Sequence, residues 1–380
     1  MKSRLFTAAA LLGALQVLPA AAQDAWKFTT MMPLTGSNAG YSQELKLGFE
    51  IALEEINRKG GIKGRPVQLN ILDTQSNPGQ VATLVRQACD EALIVLGPAL
   101  TNEARVAFPV ANSMKCPSIA PAASGAGLTT GSRPWTFSML TPSNVTTPLA
   151  VNAVIAKVKP TKSVVFVEKA DSASNDYAEI SNKTLAAAKV PGEMVAVSST
   201  DVDFGPAMTR ATGANPDLIV ISSMERAAVG LLKEFRKSQM RSNVLLTQSA
   251  WNAVTAALPP DVLENVYRYS QSDPGTSDDP RVKEFVKTFQ AKSGGRPPSI
   301  VGILPYDLLM VAKDAVERGN LKGDAASRVA DRQKFIEALA ATKDWQGLGG
   351  KMSMSPDGFM VGAPIVLVYR AGKWERVASQ

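Results

Sequence analysis

Short apolar runs, rich in β-branched residues, alternate along this chain with stretches whose apolar residues keep helical spacing. The runs fall at 27–32, 67–73, 93–97, 118–121 and 136–140, then at 163–168, 193–198, 217–222, 244–247 and 266–270, with a late one at 365–369. Between the first two, residues 41–58 carry Leu45, Phe49, Ala52 and Ile56 on one helical face and stop at Lys59-Gly60-Gly61. Further helices are expected at 78–88, 103–114, 148–157, 177–188, 227–237, 281–292, 305–318 and 331–341. Such alternation is buried well only in parallel sheets with helices on both faces.

The number of runs exceeds what one sheet around one core would use, and 380 residues give a prior of two domains. Polar, proline-containing breaks at Thr141-Pro142-Ser143-Asn144 and at 270–277 mark changes between blocks, and an irregular stretch at 346–350 precedes the last run. The expectation is two doubly wound, Rossmann-like α/β lobes joined by three crossings. One lobe takes 23–142 plus about 273–348; the other takes 143–272 plus about 349–380.

Residues 1–22 read as an export signal: Lys2 and Arg4, an apolar run from Leu5 to Leu18, then Ala20-Ala21-Ala22 before Gln23. No cysteine stands directly after the run, so a soluble, exported chain without a lipid anchor is expected. Export changes the reading of Cys89 and Cys116. Each ends a helical stretch just before a strand, so parallel neighbouring strands would bring both sulfurs to one sheet edge. A disulfide closing about 26 residues would stabilise by about 3 kcal/mol. Two buried thiols remain the alternative.

The chain has no histidine, which removes Ser-His-Asp and Cys-His pairs, HExxH zinc sites and imidazole bases. It also lacks a GxSxG elbow and a GxxxxGK[ST] loop. Gly125-Ala126-Gly127-Leu128-Thr129-Thr130-Gly131 misses the dinucleotide fingerprint by one place and reads as a turn. The paired carboxylates Asp201/Asp203 and Asp278/Asp279 sit in polar turn segments. The net charge of +7 is spread singly, which disfavours nucleic acid. The expectation is a binding protein without catalysis, cofactor or metal.

Open α/β sheets bind ligands beyond the carboxyl ends of their strands, where helix N-termini offer N–H groups. Three strand ends fit: 33–41 with its glycines and Tyr41, Pro98-Ala99-Leu100-Thr101-Asn102, and Ala122-Ala123-Ser124-Gly125. Thr101 and Ser124 are hydroxyls at expected helix starts. They are either N-caps, each contributing about 1 kcal/mol, or ligands for a carboxylate.

Met32-Pro33-Leu34-Thr35-Gly36, Tyr41 and the run 47–64 (LGFEIALEEINRKGGIKG) resemble the opening of the leucine/isoleucine/valine-binding family, as do Ile94-Val95-Leu96-Gly97-Pro98 and Ile119-Ala120-Pro121-Ala122-Ala123-Ser124. These are type I periplasmic solute-binding proteins of ABC importers, with a Venus-flytrap fold. The resemblance implies a ligand carboxylate held by Thr101 and Ser124, an amino group facing the Ala122 carbonyl, and Tyr41 and Tyr177 lining the cleft. It implies an inner-membrane ABC permease as partner and a monomeric chain. Amino-acid binders of the family place an acid after the strand matching 244–247, where this chain has Gln248-Ser249-Ala250-Trp251. Where they offer an aromatic after the strand 217–222, it has Met224-Glu225. Either Glu225 pairs with a ligand ammonium or the ligand lacks one. The second is favoured: a carboxylate with an apolar or aromatic body, matching Tyr41, Tyr177, Met224 and Trp251. A module feeding a receptor would look the same.

Overall fold

The structure, a computed structural model, describes residues 25–250 and 258–377. The expected signal at 1–22 and Trp251 lie outside the described residues.

The first block runs β1 (Trp26–Met32), α1 (Ala39–Arg58), β2 (Val67–Asp73), α2 (Pro78–Glu91), β3 (Ile94–Leu96), α3 (Thr101–Ser113), β4 (Ser118–Ala120) and β5 (Thr136–Ser138). Its five strands form one parallel sheet in the order β2-β1-β3-β4-β5. The second block runs α4 (Ser143–Val158), β6 (Ser163–Glu168), α5 (Ser172–Ala187), β7 (Gly192–Val197), α6 (Gly205–Ala214), β8 (Leu218–Ser222), α7 (Glu225–Lys237), β9 (Asn243–Leu246), α8 (Pro260–Leu263) and β10 (Val266–Ser270). Its parallel strands repeat the same order, β7-β6-β8-β9-β10. The chain continues through α9 (Pro280–Ser293), α10 (Ile300–Arg318), α11 (Arg328–Ala340), β11 (Trp345–Gly347), β12 (Gly350–Met354), β13 (Met360–Val361), β14 (Ile365–Arg370) and β15 (Lys373–Arg376). The last two join the second sheet antiparallel beside β10.

Both faces of the first sheet are covered. Phe28 packs with Leu45, Phe49 and Leu308 from α1 and α10, whereas Met31 packs with Val85 and Phe108 from α2 and α3. Helices α1 and α10 meet at glycines: a Cβ on Gly48 would lie 2.1 Å from the Gly302 carbonyl oxygen. The stop of α1 also needs glycine. Gly60 and Gly61 have φ of +95° and +75°, and a Cβ on Gly61 would meet the Arg65 carbonyl oxygen at 1.9 Å. Cys89 and Cys116 are joined as a disulfide, with their Cα atoms 5.8 Å apart.

Three departures from the sequence reading have physical causes. Helix α6 was expected as neither helix nor strand, because GPAMTRATGA buries only Met208 and Ala211 and has little apolar period. Helices α4 and α10 start five residues earlier than expected, each running through its proline (Pro148, Pro305). Burial of the early turns outweighs the lost backbone bond. The irregular stretch at 346–350 is a hairpin between β11 and β12. Its Leu348 and Gly349 amides donate to the buried Asp307 carboxylate at 2.8 and 2.7 Å, a partner 41 residues away from Leu348.

Residues 358 and 359, within the segment expected to join the second lobe, lie beside the first sheet. The Ser138 amide donates to the Gly358 carbonyl at 2.9 Å, and Phe359 packs with Val95 and Phe108. Three chain segments then meet at one node. The Thr141 amide donates to the Gln271 side-chain oxygen, and the Gly362 amide donates to the Thr141 hydroxyl at 3.1 Å. Among the described residues no helix is long and apolar enough to cross a membrane.

Candidate functional site

In a sheet of order 2-1-3-4-5, the chain leaves the first and third strands in opposite directions and opens a crevice at their carboxyl ends. Both sheets have that order, and their crevices face one another. From the first come Leu100 and Thr101 after β3 and Ala122 and Ser124 after β4. From the second come Asp171 after β6, Met224 after β8 and Gln248 and Ser249 after β9. All line one cavity of about 490 Å³ of empty space, its open mouth included. A wider outer cleft shares Tyr41, Met224, Ser249 and Val301 with it.

Thr101 and Ser124 do not cap helices. Leu100 is the N-cap of α3, with no side-chain cap bond, and residues 121–129 form turns rather than a helix start. The Thr101 hydroxyl accepts the Ser124 amide at 3.3 Å, so its own proton is free to donate. The first turn of α3 is held from behind. Glu103 reaches back to the Leu100 amide and takes the Thr74 hydroxyl at 2.6 Å. Burial pushes the Glu103 carboxyl up to about 7, and its Oε2 has no hydrogen-bond partner.

Across the cavity, Tyr177 brings its hydroxyl 2.5 Å from Ser124 Oγ and donates to Gln248 Oε1 at 3.2 Å. Burial, then each other's proximity and Asp171, hold the Tyr41 phenol far above its ordinary range. Burial and nearby acids do the same for Tyr177. Both phenols therefore stay protonated donors. Asp171 caps α5 by accepting the Ser174 amide at 2.7 Å, and burial raises its carboxyl. Glu168, buried at the end of β6, braces two loops by accepting the Met224 amide at 2.8 Å and the Ser199 amide at 3.0 Å.

The expected residues Tyr41, Thr101, Ala122, Ser124, Tyr177 and Met224 thus come together around this cavity. Glu225 does not join them. It stands exposed at the outer cleft, opposite Gly40 and near Glu44, and partial desolvation raises its carboxyl. Gln248, Asp171 and the apolar wall Ile300, Val301 and Leu304 were missed. Gln248 drew attention only as the acid's absence. Asp171 lay between the expected strand 163–168 and the expected helix 177–188, outside both, and the early turn of α10 was hidden behind Pro305.

Residues 26–372 match the periplasmic binding protein family. The chain belongs to that family. A relative from Pseudomonas aeruginosa, named a leucine-, isoleucine-, valine-, threonine- and alanine-binding protein, is 22% identical over 341 residues, 89% of this chain and 88% of the relative. Among solved structures, a branched-chain amino acid transporter substrate-binding protein of Streptococcus pneumoniae in complex with isoleucine superposes with a TM-score of 0.80 at 24% identity, covering 93% of this chain and 98% of that one. A solute-binding protein of an ABC transporter from R. palustris in complex with benzoate gives 0.81 at 19%, covering 93% and 95%. This periplasmic binding protein therefore has the two-lobed type I fold. By its family it is a binding protein and not an enzyme.

Proposed function

We propose that this periplasmic binding protein captures a small carboxylate with a branched or aromatic body, closes its lobes over it, and delivers it to an inner-membrane ABC permease as an exported monomer. The carrying observation is the convergence of Thr101 and Ser124 from one sheet with Tyr177 and Gln248 from the other on one largely apolar cavity. The Thr101 proton, the N-terminal end of α3 and two permanently protonated phenols favour an anion. Met224, Leu100 and Ile300 supply contact for an apolar body. Ligand spanning both sheets would select the arrangement in which the lobes touch. The lobe boundaries that fit this motion lie near Thr141, Gln271 and Gly362, the three segments of the node, which moves the third crossing from about 348 to 362.

A second reading, an amino-acid ligand, is favoured by Asp171, a carboxylate lining the cavity that was not anticipated. Asp171, or Glu225 from the outer cleft, would then face the ammonium, whose burial without a counter-charge costs several kcal/mol. A thermal-shift screen of amino acids against branched-chain and aromatic acids separates the two. The first reading expects acids without an ammonium to raise the melting temperature. A response confined to zwitterions would reject it in favour of the second.

A further inference from the structure

Ser124, Tyr177 and Gln248 make a chain of hydrogen bonds that crosses the cleft, and its proton count restricts what the two ends can do. Tyr177 has one proton to give. Donating it to Gln248 Oε1 obliges Ser124 to donate to Tyr177 across the 2.5 Å contact. In that setting Ser124 turns only lone pairs to the cavity, while Gln248 Nε2 is buried without a hydrogen-bond partner. Gln248 is 6% exposed, and its backbone amide is pinned on the Tyr269 hydroxyl, which also bonds Thr147 at 3.0 Å. The freedom left is a half-turn of the side-chain amide. After that turn Nε2 donates to Tyr177, Tyr177 donates to Ser124, and Ser124 can donate to the ligand. The orphaned nitrogen gains a partner, and Oε1 takes the buried place of Nε2 as an unsatisfied acceptor on a side chain that lines the cavity.

Resting on the carboxylate reading above, we infer that Gln248 is a specificity-determining residue: a carboxylate at Ser124 sets Gln248 Oε1 to accept, so the preferred ligand carries a donor beside its carboxylate. The two ends of the chain are only two hydrogen bonds apart, of 2.5 and 3.2 Å, so the donor belongs close to the carboxylate, and the carbon next to it is the position assigned here. A neutral amide suits a hydroxyl, so the ligand class is a 2-hydroxy acid with an apolar body. Tyr177 is a positioning residue that transmits the setting from one end to the other.

Two acids of nearly equal shape test this, 2-hydroxy-4-methylpentanoate and 4-methyl-2-oxopentanoate, which differ in a donor against an acceptor. Calorimetric titration of the full mature chain is expected to show the hydroxy acid binding at least tenfold tighter. Gln248→Met should bring the ratio below threefold. Tyr177→Phe should do likewise by letting the amide take either setting, with melting temperature and circular dichroism confirming that each variant folds. A tighter oxo acid, or a ratio that survives both substitutions, overturns the relay. Leucine binding tighter than both acids overturns the hydroxyl assignment. If neither acid nor leucine binds the wild type, the carboxylate reading itself fails, a result distinct from an intact site with the wrong preference.

Discussion

Thr101 and Ser124 differ in how much of their hydrogen-bonding capacity the fold consumes. Thr101 keeps its proton because its oxygen serves the Ser124 amide, whereas the Ser124 hydroxyl is shared with Tyr177. Hydrogen bonds to a charged partner contribute about 1.5–3 kcal/mol, so Thr101→Ala and Ser124→Ala should each weaken carboxylate binding by about that much in calorimetry. Unchanged affinity in both would move the ligand elsewhere. Glu103 makes a different prediction, about stability. Its folded carboxyl titrates at about 7 against an ordinary 4.5, because it is buried. The folded state thus keeps a proton that the unfolded chain releases, so stability is lost as pH rises through that window. The penalty is at most about 3 kcal/mol and is complete above neutrality. Glu103→Gln keeps the bond to the Leu100 amide and removes the penalty, so its melting temperature should exceed wild type at pH 8 and match it near pH 4.5. A gain equal at both pH values would assign the effect to packing. Of the site residues, those at strand ends with a matching motif were legible. Gln248 and Asp171 were not, because their meaning depends on which partner the fold brings opposite them.

Elements were legible where one face is apolar with a regular period. The core strands of both sheets and α1, α2 and α7 stand within a few residues of where the pattern puts them, since β-branched runs and amphipathic stretches have few other ways to be buried. Elements held by distant polar partners were not legible, as the β11–β12 hairpin shows by depending on Asp307. The disulfide sits between these cases. Its cysteines are visible in sequence, yet only the pairing of β3 with β4 brings them within bonding distance. It spans a separation of 27 residues, for which the loss of unfolded-chain entropy corresponds to about 3 kcal/mol. Cys89→Ser with Cys116→Ser should therefore lower the denaturant midpoint of the lobe that contains both, with ligand affinity unchanged because neither sulfur lines the cavity. A stability equal to wild type under oxidising conditions would remove the bond from the account of what holds this lobe.

At the scale of the whole molecule, the proposed closing motion raises the question of what would balance two arrangements of the lobes. The three-segment node around Thr141, Gln271 and Gly362 would be the pivot of the proposed closing motion. Away from the node, contact across the cleft includes the Ser124–Tyr177 hydrogen bond and the ion pair of Arg105 on α3 with Asp176 on α5, 2.7 Å apart. Arg105 is 42% exposed and Asp176 21%, so salt screens their attraction and the pair contributes about 0.2–1 kcal/mol. That is small for stability and sufficient to shift a balanced equilibrium several-fold. Arg105→Ala should reduce apparent affinity by about 1.4- to fivefold at low salt, with little loss at high salt and no change in melting temperature without ligand. Small-angle scattering should show the same radius of gyration as wild type at ligand saturation, but a larger one at sub-saturating ligand. Exchanging the charges, with Arg105→Asp and Asp176→Arg together, should recover most of the affinity. Affinity that falls equally at every salt concentration, with no recovery on exchange, would mean that Arg105 acts through the neighbouring Thr101 turn and not as a latch between lobes.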